Sequence, residues 1–195
     1  MIDDDAKAML DFSNGDAKAF EGLMKKYYKR ILNFIYRFTF NRELSEDLTQ
    51  EVFLKLYNAK DGYTASGKFS TFLYRIAANH CLNELRKGEY GARTVSIHKD
   101  DRDDGRRVPE LRDENVRNPQ EIVETMRSSE FISSALSSLP ERQKTAFILC
   151  EFEGFSYSEI AGIMRTSESS VKSLLNRCRT SLVEKLGPLV NGGAL

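Results

Sequence analysis

No apolar run in this 195-residue chain approaches the roughly 20 residues that a membrane span requires. The amino terminus reads MIDDDAK, an acidic start with no secretory stretch behind it, so the expectation is a cytoplasmic protein with no membrane insertion of its own. Cysteine is scarce: Cys81, Cys150 and Cys178 are odd in number and far apart, and none forms a C-x-x-C pair. His80 and His98 stand at no metal-ligand spacing around them, so the three thiols read as small buried hydrophobes rather than a redox or zinc site. A phosphate-binding glycine loop, a Ser-His-Asp or Cys-His arrangement and a metal cluster are all missing. That pattern predicts no catalysis, no catalytic residue, no metal and no cofactor.

Net charge is also missing, with 29 basic against 29 acidic residues. A balanced sum argues against a nucleic-acid binder, but its distribution matters more. From Glu21 to Arg93 there are thirteen Lys/Arg against eight Asp/Glu, and from Val95 to Glu130 seven against ten. An acidic start and middle mask a basic front half.

Alternating strand patterns are absent, and the four prolines sit at boundaries, which leaves helices. Asp16 can cap a helix over AKAFEGLMKKYYKRILNFIYRFTF, with Phe20, Leu23, Met24, Tyr27, Ile31, Phe34, Ile35 and Phe38 at three- and four-residue steps. A second helix is expected from about Ser45 through Tyr57. After the glycine-bearing loop AKDGYTASGK a third follows over FSTFLYRIAANHCLNELRK, with Phe72, Ile76, His80 or Cys81, and Leu85 along one side. Residues 88–117 are charged and poor in large apolar side chains. They cannot bury enough surface to offset chain entropy, which predicts a flexible linker. The run NPQE, with Asn118 as cap, Pro119 at the first position and Glu121 in the reciprocal place, starts a second helical domain. The expected organisation is all-α: an acidic tail (1–15), a helical bundle (16–87), the linker (88–117), a second helical domain (118–186) and a frayed tail (187–195).

Near the carboxyl end, FSYSEIAGIMRTSESSVKSLLNRCRTSL places two helical segments around a short polar break. Ser156 and Glu159 form a capping box, Ile160, Ala161, Ile163 and Met164 face a core, and Ser167 can cap the second helix. There Val171, Leu175, Cys178 and Leu182 form a buried seam. Ser169, Ser170, Lys172, Ser173, Asn176, Arg177 and Arg179 are therefore left outward. Small hydroxyls permit close approach to base edges and cations meet phosphates, which is what a recognition helix in a major groove requires. A plain helical hairpin with a solvated face is the bland alternative.

In the front half, Asp47, Gln50, Glu51 and Leu54 share one helix face, opposite to Leu48, Val52 and Leu56. Acid flanking an exposed leucine suits docking onto a basic helical partner. In the next helix Arg75, Asn79, Asn83 and Arg86 step along one side, where amides can bond base edges and guanidinium groups phosphate or guanine. The loop before it offers Tyr63, Ser66, Gly67 and Lys68, the parts needed to hold an unstacked base. Alone, Tyr63 reads rather as an ordinary half-buried loop aromatic.

In this order, SEDLTQEVFLKLY, FSTFLYRIAANHCLNELRK, LPERQKTAFILCEFEGFSYSEIAGIM and VKSLLNRCR resemble the extracytoplasmic-function (ECF) sigma factors of bacteria, two-domain initiation subunits of the sigma-70 superfamily. The resemblance covers nearly the whole chain. It implies that Asp47, Gln50, Glu51 and Leu54 dock on core RNA polymerase, at the coiled coil of its largest catalytic subunit. It implies that the loop 61–68 captures a flipped base of promoter DNA at the minus-ten element, and that Asn79, Asn83 and Arg86 read and melt that element with Arg75 beside them. The stretch Ser169 to Arg179, with Arg165 at the turn, falls on the helix that reads the minus-thirty-five element. The linker corresponds to the segment threaded through the polymerase, its run Asp100, Asp101, Asp103 and Asp104 imitating a nucleic-acid backbone beside Arg106 and Arg107. An anti-sigma factor is a further implied partner. Two departures stand out: Leu174 where many members carry arginine after V-K-S, and Arg165 where the turn usually has glycine. The competing possibility is a free-standing helix-turn-helix regulator whose front bundle dimerises or senses a ligand.

Overall fold

The computed structural model of the chain describes residues 3–94 and 133–191, and among these every regular element is a helix. The front half holds α1 (Asp4–Ser13), α2 (Ala17–Thr39), α3 (Arg42–Asn58), a 3₁₀ turn (Lys60–Gly62) and α4 (Phe69–Thr94). The rear half has a helical segment at 133–137, α5 (Glu141–Phe147) widening into a π-helical turn (Ile148–Phe152), α6 (Tyr157–Met164) and α7 (Glu168–Asn191).

The residues read as an acidic tail form α1, which corrects that expectation. Asp4 and Asp5 occupy its first turn, where carboxylates meet the positive end of the helix dipole. Ala6, Met9 and Phe12 fall on one side and are buried. The acids are also put to use. Asp5 takes both Lys26 Nζ at 2.6 Å and the Tyr27 hydroxyl at 2.7 Å, while Asp3 accepts the Phe69 N–H at 3.1 Å and so caps the start of α4.

Helix α2 forms as its spacing predicts. The Asp16 carboxylate accepts from the Lys18 and Ala19 amides, and Leu23, Tyr27, Ile31, Phe34, Ile35 and Phe38 are buried. It ends at Phe40 in the left-handed region (φ 48°), a costly conformation for a bulky residue. The compensation is packing: the Phe40 ring joins the apolar cluster of Leu136, Leu139 and Cys178. Helix α3 starts three residues before the expected Ser45. Asn41 is its cap, accepting from Leu44 N at 3.0 Å, and Ser45 instead lies buried with its hydroxyl on the Asn41 carbonyl.

The buried side of α4 also differs from the expected one. Leu73, Tyr74, Ala77, Ala78 and Cys81 are fully covered, whereas Phe72, Ile76 and Leu85 are half-buried. The reason is that α4 has two neighbours: it lies across the front bundle and also takes α6 against its flank. It runs on through Thr94, into the stretch read as the start of the linker. The rest of that linker, with Asp100, Asp101, Asp103, Asp104, Arg106 and Arg107, and the expected helix start at Asn118, lie outside the described residues. At the other end α7 continues to Asn191, past the expected boundary at 186.

The two halves touch. One apolar cluster runs from Ala6 and Met9 through Tyr74 and Ala77 to Phe155, Ile160, Ile163, Val171 and Leu175. The Tyr74 and Phe155 rings meet edge to face at 4.9 Å. Gly162 in α6 comes close enough to α4 that a Cβ there would stand 3.7 Å from Thr71 Cγ2. Lys144 of α5 is buried and donates to the Phe38 carbonyl at 3.0 Å, the negative end of α2, with the Phe38 and Phe40 rings beside its ammonium.

Candidate nucleic-acid interface

Three outward surfaces carry the residues singled out in the sequence. The first is the stripe on α3. Asp47, Gln50, Glu51 and Leu54 are all exposed, and Leu48, Val52 and Leu56 behind them are buried. Leu54 shows 60% of its surface to solvent. A leucine left this bare between two carboxylates gains nothing for the fold, because burial of its surface is what would stabilise it.

The second surface is the flank of α4. Arg75, Asn79 and Asn83 line one shallow groove of about 380 Å³ with Lys55, Phe72, Ile76, His80 and Arg165. Arg75 lies over the Phe72 ring at 5.4 Å, which holds its guanidinium along the groove wall. Lys55 and His80 were missed in the sequence. Lys55 is one helical turn beyond Glu51, so the projection that found the acidic stripe already contained it. His80 is buried, with Nε2 2.9 Å from a Glu51 carboxylate oxygen but not aligned for a hydrogen bond and without another partner. Burial, reinforced by Lys55, holds the imidazole below its ordinary value of 6.5, outweighing the opposite pull of Glu51 and Glu84.

The remaining residues of that set fare differently. Ser66 is exposed. Lys68 and Arg86 are exposed too, but their charges are engaged by the rear half: Lys68 pairs with Glu159 at 2.8 Å and Arg86 with Glu141 at 3.1 Å. Tyr63, expected in a base-holding loop, is buried against Phe69 and Phe72 with its hydroxyl unpartnered. Its ring meets both of them in T-shaped contacts, the packing of a buried loop aromatic. Three consecutive aromatic positions in the fold compete for the same apolar space, which a reading of the loop alone misses.

The third surface is the amino-terminal part of α7. The capping box of Ser156 and Glu159 forms as predicted, and Ser167 Oγ accepts the Ser170 amide at 3.2 Å. Val171, Leu175 and Cys178 are buried, while Ser169, Lys172, Ser173, Asn176, Arg177 and Arg179 are exposed and Ser170 half-exposed. Ser169, Ser170, Ser173 and Arg177 surround a recess with Thr166, Leu174 and the unforeseen Arg142 of α5. Arg179 is tied to Glu151 at 2.9 Å, and Lys172, Arg177 and Arg142 are the other cations of this face. The turn between α6 and α7 has the left-handed backbone that glycine favours, at Arg165 (φ 49°). The chain bears that strain rather than taking a different turn, and the conformation points Arg165 to the α4 groove.

Arranged this way, the chain offers an acidic-apolar stripe, a groove of amides and cations, and a hydroxyl-rich helix with cations at its edge. Among the described residues these three surfaces hold no catalytic constellation. The chain was also compared with known proteins. The sequence profile of Sigma-70 region 2 matches residues 23–89, and that of Sigma-70 region 4 matches residues 132–182. The RNA polymerase sigma-H factor of Pseudomonas aeruginosa is 31% identical over 176 residues, covering 90% of each chain. The ECF RNA polymerase sigma-E factor of Escherichia coli (strain K12) is 31% identical over 181 residues, covering 90% of this chain and 91% of the relative. Two solved structures share the fold. CnrH, in complex with the cytosolic domain of CnrY, superposes with a TM-score of 0.69 at 19% identity over 95% of this chain and 98% of that one. The sigma factor RpoE, in complex with the anti-sigma factor NepR from Bartonella quintana, gives 0.64 at 22% identity over 88% and 98%. With relatives of this identity spanning nine-tenths of its length, and its two helical halves matching regions 2 and 4, the chain belongs to the extracytoplasmic-function sigma factors of the sigma-70 family.

Proposed function

We propose that this protein is an alternative sigma factor that mounts on core RNA polymerase through α3 and directs it to promoters through α4 and α7. It acts in binding and positioning, without catalysis of its own. The observation that carries the reading is the bare Leu54 between Asp47, Gln50 and Glu51 on a helix whose opposite side is packed. The acids complement a basic helical partner and steer the encounter, and Leu54 supplies apolar area at its centre.

Promoter recognition divides between the other two surfaces. Arg75, Asn79, Asn83 and Arg86, with Ser66 and Lys68 from the preceding loop, are assigned to the minus-ten element. Arg165, Ser169, Ser170, Lys172, Ser173, Asn176, Arg177 and Arg179 are assigned to the minus-thirty-five element, with Arg142 added on its place in the same recess. Zero net charge suits this division of labour: a specificity subunit that bound DNA tightly alone would be lost on non-specific sites, since phosphate neutralisation dominates such affinity. The free-standing regulator is set aside, because the similarity to sigma factors covers the front bundle as fully as the helix-turn-helix. A partner that restrains the protein, of the kind bound to RpoE of Bartonella quintana, is part of the proposal, as is a cytoplasmic site of action beside the polymerase. Among the described residues no helix is long and apolar enough to cross a membrane.

The test is a pull-down with purified core polymerase. The wild-type chain is retained and the variant Asp47→Lys with Glu51→Lys is lost. Equal retention of both would remove the docking assignment.

A further inference from the structure

His80 stands between two of the surfaces described above. It belongs to α4 and lines the groove with Asn79 and Asn83, yet its Nε2 is 2.9 Å from a carboxylate oxygen of Glu51 on the α3 stripe. The His80 side chain is 5% exposed and that of Glu51 55%. A buried ring thus backs an exposed carboxylate from the inside. The contact is misaligned, and Nε2 has no hydrogen-bond partner. A proton on the ring completes the pair, because an imidazolium N–H donates to a carboxylate in a charge-assisted bond stronger than a neutral one.

The surroundings set when that proton arrives. Burial opposes it most, and Lys55 of α3, one turn beyond Glu51, opposes it next; Glu51 of α3 and Glu84 of α4 favour it. Glu84 is itself held by Lys87 at 2.6 Å. Arg75 of α4 and Arg165 of the turn before α7 share the groove wall and add positive charge there. The ring therefore stays neutral at neutral pH and takes its proton only in acid.

We propose that His80 is a positioning residue for polymerase docking, leaving Glu51 to the partner when neutral and claiming that carboxylate when protonated. This rests on the docking role given to the α3 stripe. The stripe offers two carboxylates, Asp47 and Glu51, to a basic helix. An imidazolium behind Glu51 cancels one of the two, so attraction and encounter rate both fall. By linkage, a polymerase cation brought onto Glu51 makes the proton on His80 harder to hold. Engagement of the polymerase thus weakens in acid, through a ring that is itself buried.

The test is a titration of the labelled full chain with purified core polymerase at about pH 7.5 and about pH 5.5. Fluorescence anisotropy reads the apparent Kd, and circular dichroism confirms the fold at the lower pH. Wild type should bind several-fold more weakly at the lower pH. His80→Gln, which keeps a polar group but cannot be charged, should lose most of that difference. Glu51→Gln should bind more weakly at both pH values and lose the difference as well. Asp47→Asn should also bind more weakly at both, but keep the wild-type ratio. The inference is overturned if His80→Gln or Glu51→Gln keeps the wild-type ratio, or if Asp47→Asn loses it as fully as Glu51→Gln does. Should His80→Gln fail to fold, the two carboxylate variants at their exposed positions still decide it. The two proposals stay apart. Unchanged binding by both carboxylate variants at about pH 7.5 removes the docking assignment, whereas weakened binding with unchanged ratios refutes the role of His80 alone.

Discussion

Arg165 holds a backbone conformation that glycine would hold without cost, and it does so at the turn that orients α6 against α7. A left-handed L-residue is disfavoured by roughly 1–2 kcal/mol, and glycine's greater loss of chain entropy returns part of that. Arg165→Gly should therefore raise stability by up to about 1 kcal/mol, seen as a higher midpoint in urea unfolding. A lower midpoint would mean that the side chain's place in the groove matters more than the strain. At His80 the sign follows from burial. The folded protein binds the imidazole proton more weakly than the unfolded chain does, so this contribution to stability is complete above the ordinary value of 6.5 and is lost as pH falls through and below it. Unfolding midpoints at about pH 7.5 and about pH 5.5 should differ more for wild type than for His80→Gln; identical pH dependence would contradict the assignment. Single residues were also the least legible from sequence. The capping roles of Asp16, Ser156 and Ser167 could be read because a cap is a local event, settled within three residues. The burial of Tyr63 could not, because it depends on Phe69 and Phe72 arriving from the next helix.

Helix α1 shows what periodicity misses at the scale of an element. Four acids among the first fifteen residues dominated its reading, while the apolar stripe is only Ala6, Met9 and Phe12. Such a stripe is too short to announce a helix before its partner surface is known. The longer helix α2, with six buried residues on one seam, needed no such help. If α1 is part of the core, Met9→Ala should cost about 2–5 kcal/mol, measured by chemical denaturation; a cost near zero would return α1 to the status of a tail. The stripe on α3 makes the opposite prediction. Leu54→Ser should leave stability within about 0.5 kcal/mol of wild type and weaken retention by core polymerase by roughly tenfold. Loss of stability with unchanged retention would mean that Leu54 serves the fold.

For the molecule as a whole, the sequence carried the all-helical class and the two helical units, because each unit's seams are written in its own spacing. The contact between them was not written there. Glu141, Glu153 and Glu159 read as ordinary surface acids until the fold sets them opposite Arg86, Arg37 and Lys68. The buried Lys144 is the same lesson: desolvation lowers its affinity for the proton, and only the end of α2 and two aromatic rings make the site tolerable. The measurement that bears most directly on the central claim is transcription in vitro from sheared genomic DNA of the source cell, with core polymerase and the purified chain, read by sequencing the 5′ ends of the RNA. Initiation at discrete sites preceded by shared minus-ten and minus-thirty-five sequences, and lost with Asp47→Lys and Glu51→Lys, is the predicted result. RNA 5′ ends no different from those made by core polymerase alone would contradict it.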